Sequence, residues 1–186
     1  MLVLASRSPQ RRAILERLGV EFVVRPTGVE ELGRGDPEAT ARENAVRKAR
    51  AADPQPGELV LGVDTIVALD GRIYGKPADE SEARTTIRAL AGRTHTVISG
   101  LALLEHGAEP ALASATTAVT FRKLDEGAVR WYVATGEWND RSGGYAIQQA
   151  GGALVRTIDG DVNNVVGLPL ALLLDLRPEL LGAAGR

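Results

Sequence analysis

Asp64 follows the apolar run Leu59-Val60-Leu61-Gly62-Val63, which carries no charge on either face and reads as a central strand with Asp64 at its end. An ionised carboxylate there is costly unless a cation or hydrogen-bond donors compensate it, which makes Asp64 the best single catalytic candidate. The plain alternative is a carboxylate capping a turn through the Thr65 amide. Lys76 stands between Gly75 and Pro77, in a rigid loop able to present an ammonium to phosphate oxygens, or it is simply solvated. Lys48 lies on a predicted helix among Arg42, Arg47 and Arg50, where it is still more easily read as a surface charge. Glu30 and Glu31, in the loop before that helix, could ligate a hard divalent cation or only meet water. Ser6, Ser8, Arg11 and Arg12 fall around the first turn after a strand, where free backbone N–H groups and the helix dipole favour an anion. That pattern is a phosphate cradle with arginines, unless Ser8 only caps the helix and the arginines are surface charges.

Familiar chemical templates fail on these residues. Gly71-Arg72-Ile73-Tyr74-Gly75-Lys76 has one residue too few between its glycines for a phosphate loop, and Pro77 replaces the needed Ser or Thr. Asp159-Gly160-Asp161-Val162-Asn163 starts like a calcium loop, but Asn164 stands where Gly is required and Leu170 where the bidentate Glu belongs, so a plain turn is expected. There is no Gly-x-Ser-x-Gly, His-Glu-x-x-His or Gly-x-Gly-x-x-Gly.

The elements that must position the candidates are legible from caps and periods. Leu2 to Ala5 reads as a buried strand, and Ser8-Pro9 starts a helix that stops at Gly19. Glu21 to Arg25 alternates like a strand, and Asp36-Pro37 opens a second helix reaching Ala52. Ile66 to Leu69 continues extended, Asp70-Gly71 turns the chain into Arg72 to Tyr74, and a third helix runs from Asp79 to Leu90. Two β-rich runs, Thr94 to Leu104 and Leu112 to Phe121, precede a helix near Asp125 to Ala134, a strand near Ala153 to Ile158 and a helix after Pro169. The mixture predicts an α/β or α+β chain with a mixed sheet, and no linker divides its 186 residues, so one domain over 1–186 is expected.

Composition bounds the function. With 44% hydrophobic and 25% charged residues the chain is neither disordered nor fibrous, and it contains no cysteine for disulfides or thiolate metal sites. A net charge of −2 supplies no global field toward nucleic acid or an anionic membrane, so any anion chemistry must be local. Without a signal-peptide core or a long apolar stretch, a cytoplasmic location is expected. Only three of the 22 basic residues are lysines, and two of them, Lys48 and Lys76, are among the candidates above.

The order of motifs sharpens this. Leu4-Ala5-Ser6-Arg7-Ser8-Pro9-Gln10-Arg11-Arg12, Thr27-Gly28-Val29-Glu30-Glu31, Lys48-Ala49, Leu61-Gly62-Val63-Asp64-Thr65 and Gly75-Lys76-Pro77 closely resemble the Maf family of nucleoside triphosphate pyrophosphatases. Ala89 to His95, Gly143 to Gln148 and Val165 to Leu170 extend the resemblance over residues 2 to 176. The resemblance implies an elongated α/β fold of the inosine-triphosphate-pyrophosphatase type, with a mixed sheet, a nucleotide cleft between two lobes and often a homodimer. It also implies hydrolysis between the α and β phosphates with magnesium or manganese, housekeeping of the nucleotide pool, and a link to septum formation. Asp64 would act as base, with Lys48 and Lys76 completing the catalytic set. Glu31 would hold the metal with Asp64, and Ser6, Ser8, Arg11 and Arg12 would hold the substrate. A non-catalytic, nucleotide-binding regulator of division is the competing reading, and a phosphotransferase is a further one that lacks a motif.

Three positions sort the branches of the resembled family, and here they are Gln10, Thr65 and Gln148. The branch acting on dTTP and UTP carries Arg, Thr and Gln, whereas that acting on 7-methyl-GTP carries Trp, Gln and Glu. Two matches imply a pyrimidine preference, with Gln10 in place of the usual Arg broadening or weakening it and admitting CTP. Gln149 replaces a common Gly, and Asp140-Arg141-Ser142-Gly143 replaces Asp-Lys-Ala-Gly.

Overall fold

Four helices begin where a short polar side chain takes up a free amide of the first turn. Ser8 accepts from Arg11 N ahead of α1 (Pro9–Arg17), Asp36 from Ala39 N ahead of α2 (Pro37–Ala51), Asp79 from Glu82 N ahead of α3 (Glu80–Leu90), and Asp125 from Ala128 N ahead of α4 (Glu126–Ala134). Proline at the start of α1 and α2 removes an N–H that would have no partner there. The computed structural model describes residues 1–181. Near its end come α5 (Val162–Val166) and α6 (Leu170–Leu176). α5 corrects the expectation of a plain turn: Asp161 caps it by accepting from Asn163 N at 2.7 Å, and five residues are too few to show a helical period.

The strands are β1 (Leu2–Leu4), β2 (Phe22–Val24), β3 (Leu59–Leu69), β4 (Arg72–Tyr74), β5 (Thr94–Glu105), β6 (Ala111–Phe121) and β7 (Val155–Asp159). Among the described residues they form one mixed sheet of order β2-β1-β3-β5-β6-β7, with β4 beside β3. β1 is parallel to β2 and β3, and the remaining pairs are antiparallel. The β3–β4 turn places Asp70 and Gly71 at φ 52° and 75°, the pair of positive angles that a tight hairpin of this twist requires.

The structure corrects the expectation that Asp64 ends a strand, because β3 runs on through it for eleven residues. The partner on one edge is what ends. The pairing with β1 closes where Ala5 N donates to Leu61 O, and the pairing with β4 begins only at Val67. Between them, Asp64 and Thr65 are paired with β5 alone.

Side chains alternate across β3. Val60 packs with Ala45, Val46 and Ala49 of α2, while Leu61 and Val63 pack on the other face with Ile14 and Leu15 of α1 and with Leu168 and Leu173. Asp64 shares the α2 face. Opposite it in the β5 ladder stands Gly100, and two residues before it stands Gly62. A Cβ on Gly62 would lie 2.2 Å from the Ala45 carbonyl oxygen, and one on Gly100 would lie 2.3 Å from that of Ala41. The two glycines let the α2 backbone rest directly on the sheet, which lowers its Asn44 and Lys48 onto Asp64. A second core joins Ile87 and Leu90 of α3 and Val129 and Tyr132 of α4 to Val97, Val119 and Phe121.

Candidate active site

A cleft of about 690 Å³ opens over the unpaired edge of β3. The Ser6–Arg11 turn, the Thr27–Glu31 loop, Lys76, the segments 140–142 and 145–149, and Val165–Gly167 line it.

Asp64 lies at its floor, 4% exposed. Its Oδ1 accepts from Lys48 Nζ at 2.6 Å and its Oδ2 from Asn44 Nδ2 at 2.9 Å. Burial of the carboxylate is thereby compensated by one cation and one amide donor. Lys48 is 7% exposed, so the surface reading of this lysine is overturned. Its ammonium also donates to Glu31 Oε1 at 2.5 Å and to the Val63 carbonyl at 3.4 Å. Asn44 does more than hold Asp64: its Oδ1 accepts from Leu32 N and its Nδ2 donates to Leu32 O, tying down the loop that carries Glu31. Glu31 lines the cleft; Glu30 does not.

Arg11 is buried on the inner face of α1 with Ile14 and Leu15. Its Nε donates to the Gly167 carbonyl at 2.8 Å, Nη1 to Ser6 Oγ at 3.1 Å and Nη2 to Thr65 Oγ1 at 3.2 Å. Burial pulls its pKa down and the carboxylates of Asp64 and Glu31 pull it back up, and a guanidinium stays protonated under either influence. Arg12, expected in the same cradle, is corrected: one step further round the helix, it points away from the cleft, and its Nε pairs with Glu16 Oε1 at 2.6 Å. Ser8 both caps α1 and donates to Gln10 Oε1 at 3.1 Å, which leaves the Gln10 amide nitrogen as the donor end of that side chain.

On the opposite wall Lys76 pairs with Asp140 at 2.7 Å, and Gln148 is exposed to the cleft. Arg141, to which sequence reasoning gave no role, also lines it, with a buried Nε that has no hydrogen-bond partner among the described residues. Behind this wall Tyr145 Oη lies 2.9 Å from His95 Nε2, and the two rings stack edge to face with Phe121. Burial lowers the His95 pKa to about 4 and raises that of the Tyr145 hydroxyl, so both are neutral near pH 7. Arg7, Arg11, Lys48, Lys76 and Arg141 face Glu31, Asp64 and Asp140 across the cleft, five cations against three carboxylates in a chain whose net charge is −2. The positive field absent from the whole is present here.

Asn44 was legible and missed. Thr40, Asn44 and Lys48 recur every four residues beside Ala41, Ala45 and Ala49, a buried polar stripe along an alanine stripe on α2. Among the described residues no three His, Asp or Glu side chains gather into a cage for a metal, and the two carboxylates that meet on the Lys48 ammonium are Glu31 and Asp64. No helix among the described residues is long and apolar enough to cross a membrane.

The fold is similar to that of a HAM1 protein from Coxiella burnetii, which superposes with a TM-score of 0.57 at 20% identity, covering 96% of this chain and 98% of that one. The family is narrower. The profile described as Maf-like protein matches residues 1–179, and this chain belongs to the Maf family. It is similar to the dTTP/UTP pyrophosphatase of Thermococcus gammatolerans, 46% identical over 177 residues and covering 95% of both chains. The dTTP/UTP pyrophosphatase of Symbiobacterium thermophilum is 45% identical over 172 residues, covering 91% of this chain and 88% of the other.

Proposed function

We propose that this protein is a nucleoside triphosphate pyrophosphatase that hydrolyses dTTP and UTP to the monophosphate and pyrophosphate. The observation that carries the reading is the Asp64–Lys48–Glu31 cluster on the floor of a locally cationic cleft. A triphosphate brings roughly four negative charges, which demand such local cations. Relatives named dTTP/UTP pyrophosphatase at 46% and 45% identity support the same activity.

Each residue then has a task. Asp64 accepts the proton of the water that attacks the α phosphorus, and Lys48 and Asn44 fix the orientation of its carboxylate. Lys76 and Arg11 hold phosphate oxygens, with Ser6 and Ser8 shaping the turn beneath them. Glu31 and Asp64 would hold a magnesium or manganese ion. Their chemistry fits it, because magnesium is commonly held by one or two carboxylates together with substrate phosphates and retained waters. When bound, the ion neutralises phosphate charge and acidifies a coordinated water. Gln148 offers a donor and an acceptor to the O4 and N3–H edge of a pyrimidine, and Gln10, neutral and held by Ser8, permits CTP as well. The reading includes one domain acting in the cytoplasm as a homodimer, carried by the family resemblance.

The test is pyrophosphate release from dTTP, UTP, CTP, GTP and 7-methyl-GTP, with Gln10→Arg alongside. Highest kcat/KM is expected for dTTP and UTP. A preference for 7-methyl-GTP overturns the substrate assignment, and nucleotide binding without pyrophosphate release favours the regulator.

A further inference from the structure

The five N–H groups of the buried Arg11 guanidinium can be accounted for singly. Gly167 O, Ser6 Oγ and Thr65 Oγ1 take three of them. One N–H on each terminal nitrogen has no protein partner among the described residues, and both nitrogens belong to a residue lining the cleft.

The Thr65 hydroxyl has one proton and two lone pairs, and all three are spent. One lone pair receives Arg11 Nη2. Ser99 Oγ lies 2.8 Å away on a fully buried side chain whose hydrogen-bond partner among the described residues is Thr65 itself. If Thr65 gave its proton to Ser99, the Ser99 proton would be buried without an acceptor, which is costly. Ser99 therefore donates and fills the second lone pair. The Thr65 proton goes to the Gly167 carbonyl at 3.3 Å, the same oxygen that accepts from Arg11 Nε. That carbonyl then has both lone pairs occupied and the ring of bonds is closed.

We infer that Thr65, although it lines the cleft, is a positioning residue whose hydroxyl has no hydrogen bond left for the nucleotide: locked by Ser99, it holds the Arg11 guanidinium so that the two unspent N–H groups face the phosphates. The inference rests on the proposed triphosphate site. Position 65 then governs the grip on phosphate, and any influence on the choice of base runs through Arg11.

The test uses Thr65→Val, close in shape but without the hydroxyl, Thr65→Ser as the conservative restoration, and Ser99→Ala. Two quantities are read: the kcat/KM ratio of UTP to CTP, and the calorimetric affinity for inorganic tripolyphosphate, which has phosphates and no base. Thr65→Val should raise KM for UTP and weaken tripolyphosphate binding together by about tenfold, the scale of one hydrogen bond to a charged group, while the UTP to CTP ratio stays within about twofold. Thr65→Ser should restore both, and Ser99→Ala should shift both in the same direction by a smaller factor. A changed UTP to CTP ratio with unchanged tripolyphosphate affinity places the hydroxyl on the base and overturns the inference. So do unchanged values for both quantities, or a wild-type protein that does not bind tripolyphosphate. Should Thr65→Val fail to fold, Ser99→Ala carries the same two readouts. Wild-type protein that binds tripolyphosphate but releases no pyrophosphate from any nucleotide refutes the proposed function and leaves this inference to be judged on affinity alone.

Discussion

The Lys48 ammonium lies 2.6 Å from Asp64 Oδ1, and neither side chain is more than a tenth exposed. In such a buried pair each charge makes the other tolerable, so the cost of removing one is largely that of stranding its partner. Glu31, more open to solvent, shares the same ammonium and gives Lys48 a second counter-charge.

Asp64→Asn should therefore abolish pyrophosphate release while the protein still folds, because the substituted amide oxygen can accept from Lys48 and Glu31 still balances its charge, the loss being the one bond from Asn44, whose amide donor would then face another. Turnover within about tenfold of wild type would remove Asp64 from the role of base. Far-UV circular dichroism and a denaturation curve check that the loss is chemical.

Glu31→Gln keeps the shape of the loop and removes one hard anionic ligand. Half-maximal activity should require more magnesium or manganese by at least about tenfold, with little change in kcat at saturating metal. A metal titration that superposes on wild type excludes Glu31 as a ligand.

Lys48→Ala and Lys76→Ala should each cost a few kcal/mol in kcat/KM, about the loss of one charge-assisted phosphate or carboxylate contact. Stability separates them. Lys48→Ala strands the Asp64 carboxylate and should destabilise by about 3–5 kcal/mol. Lys76 is half-exposed and pairs with an exposed Asp140, so its removal should leave the urea midpoint nearly unmoved. If both variants turn over normally, neither lysine serves the reaction.

His95 ties stability to pH. Burial depresses its pKa from 6.5 to about 4, so between those values the unfolded chain binds a proton that the folded one refuses. Stability is then full above pH 6.5 and lost as pH falls toward 4, by about 2 kcal/mol between pH 7 and pH 5 from this group. Urea denaturation at the two pH values, on wild type and His95→Gln, should show that difference shrink in the variant. An equal pH dependence in both would assign it to other groups.

The caps at Ser8, Asp36, Asp79 and Asp125 and the Asp70-Gly71 turn were readable because each acts within a few residues of itself. So was the cationic cleft in outline, because Asp64, Lys48, Lys76 and Arg11 all line it. What escaped depends on partners far away in the chain. Nothing local to Val63-Asp64 says that β1 stops pairing at Leu61, so an unpaired edge in mid-strand read as a strand end. Arg11 and Arg12 are adjacent letters separated by about 100° of helix, and only the position of Ile14 and Leu15 on the buried face tells which turns inward. The stripe on α2 marks Asn44 as buried, but its partners, a loop twelve residues earlier and a strand twenty residues later, lie at distances at which no sequence pattern speaks.

The interval on β3 between the end of β1 and the start of β4 separates two kinds of inheritance. Asp64 is fixed by the ladder with β5 and by the seating of α2 on Gly62 and Gly100, so it cannot move without re-registering the sheet. The segments bearing Glu31, Lys76 and Gln148 enter the cleft from loops, and Gln10 from the first turn of α1, all outside that ladder. They can lengthen, shorten or exchange residues while the reacting centre stays where it is. A lineage built on this frame is thus free to explore new bases at constant chemistry, and a designer who wishes to redirect it should rebuild the rim and leave the eleven residues of β3 alone.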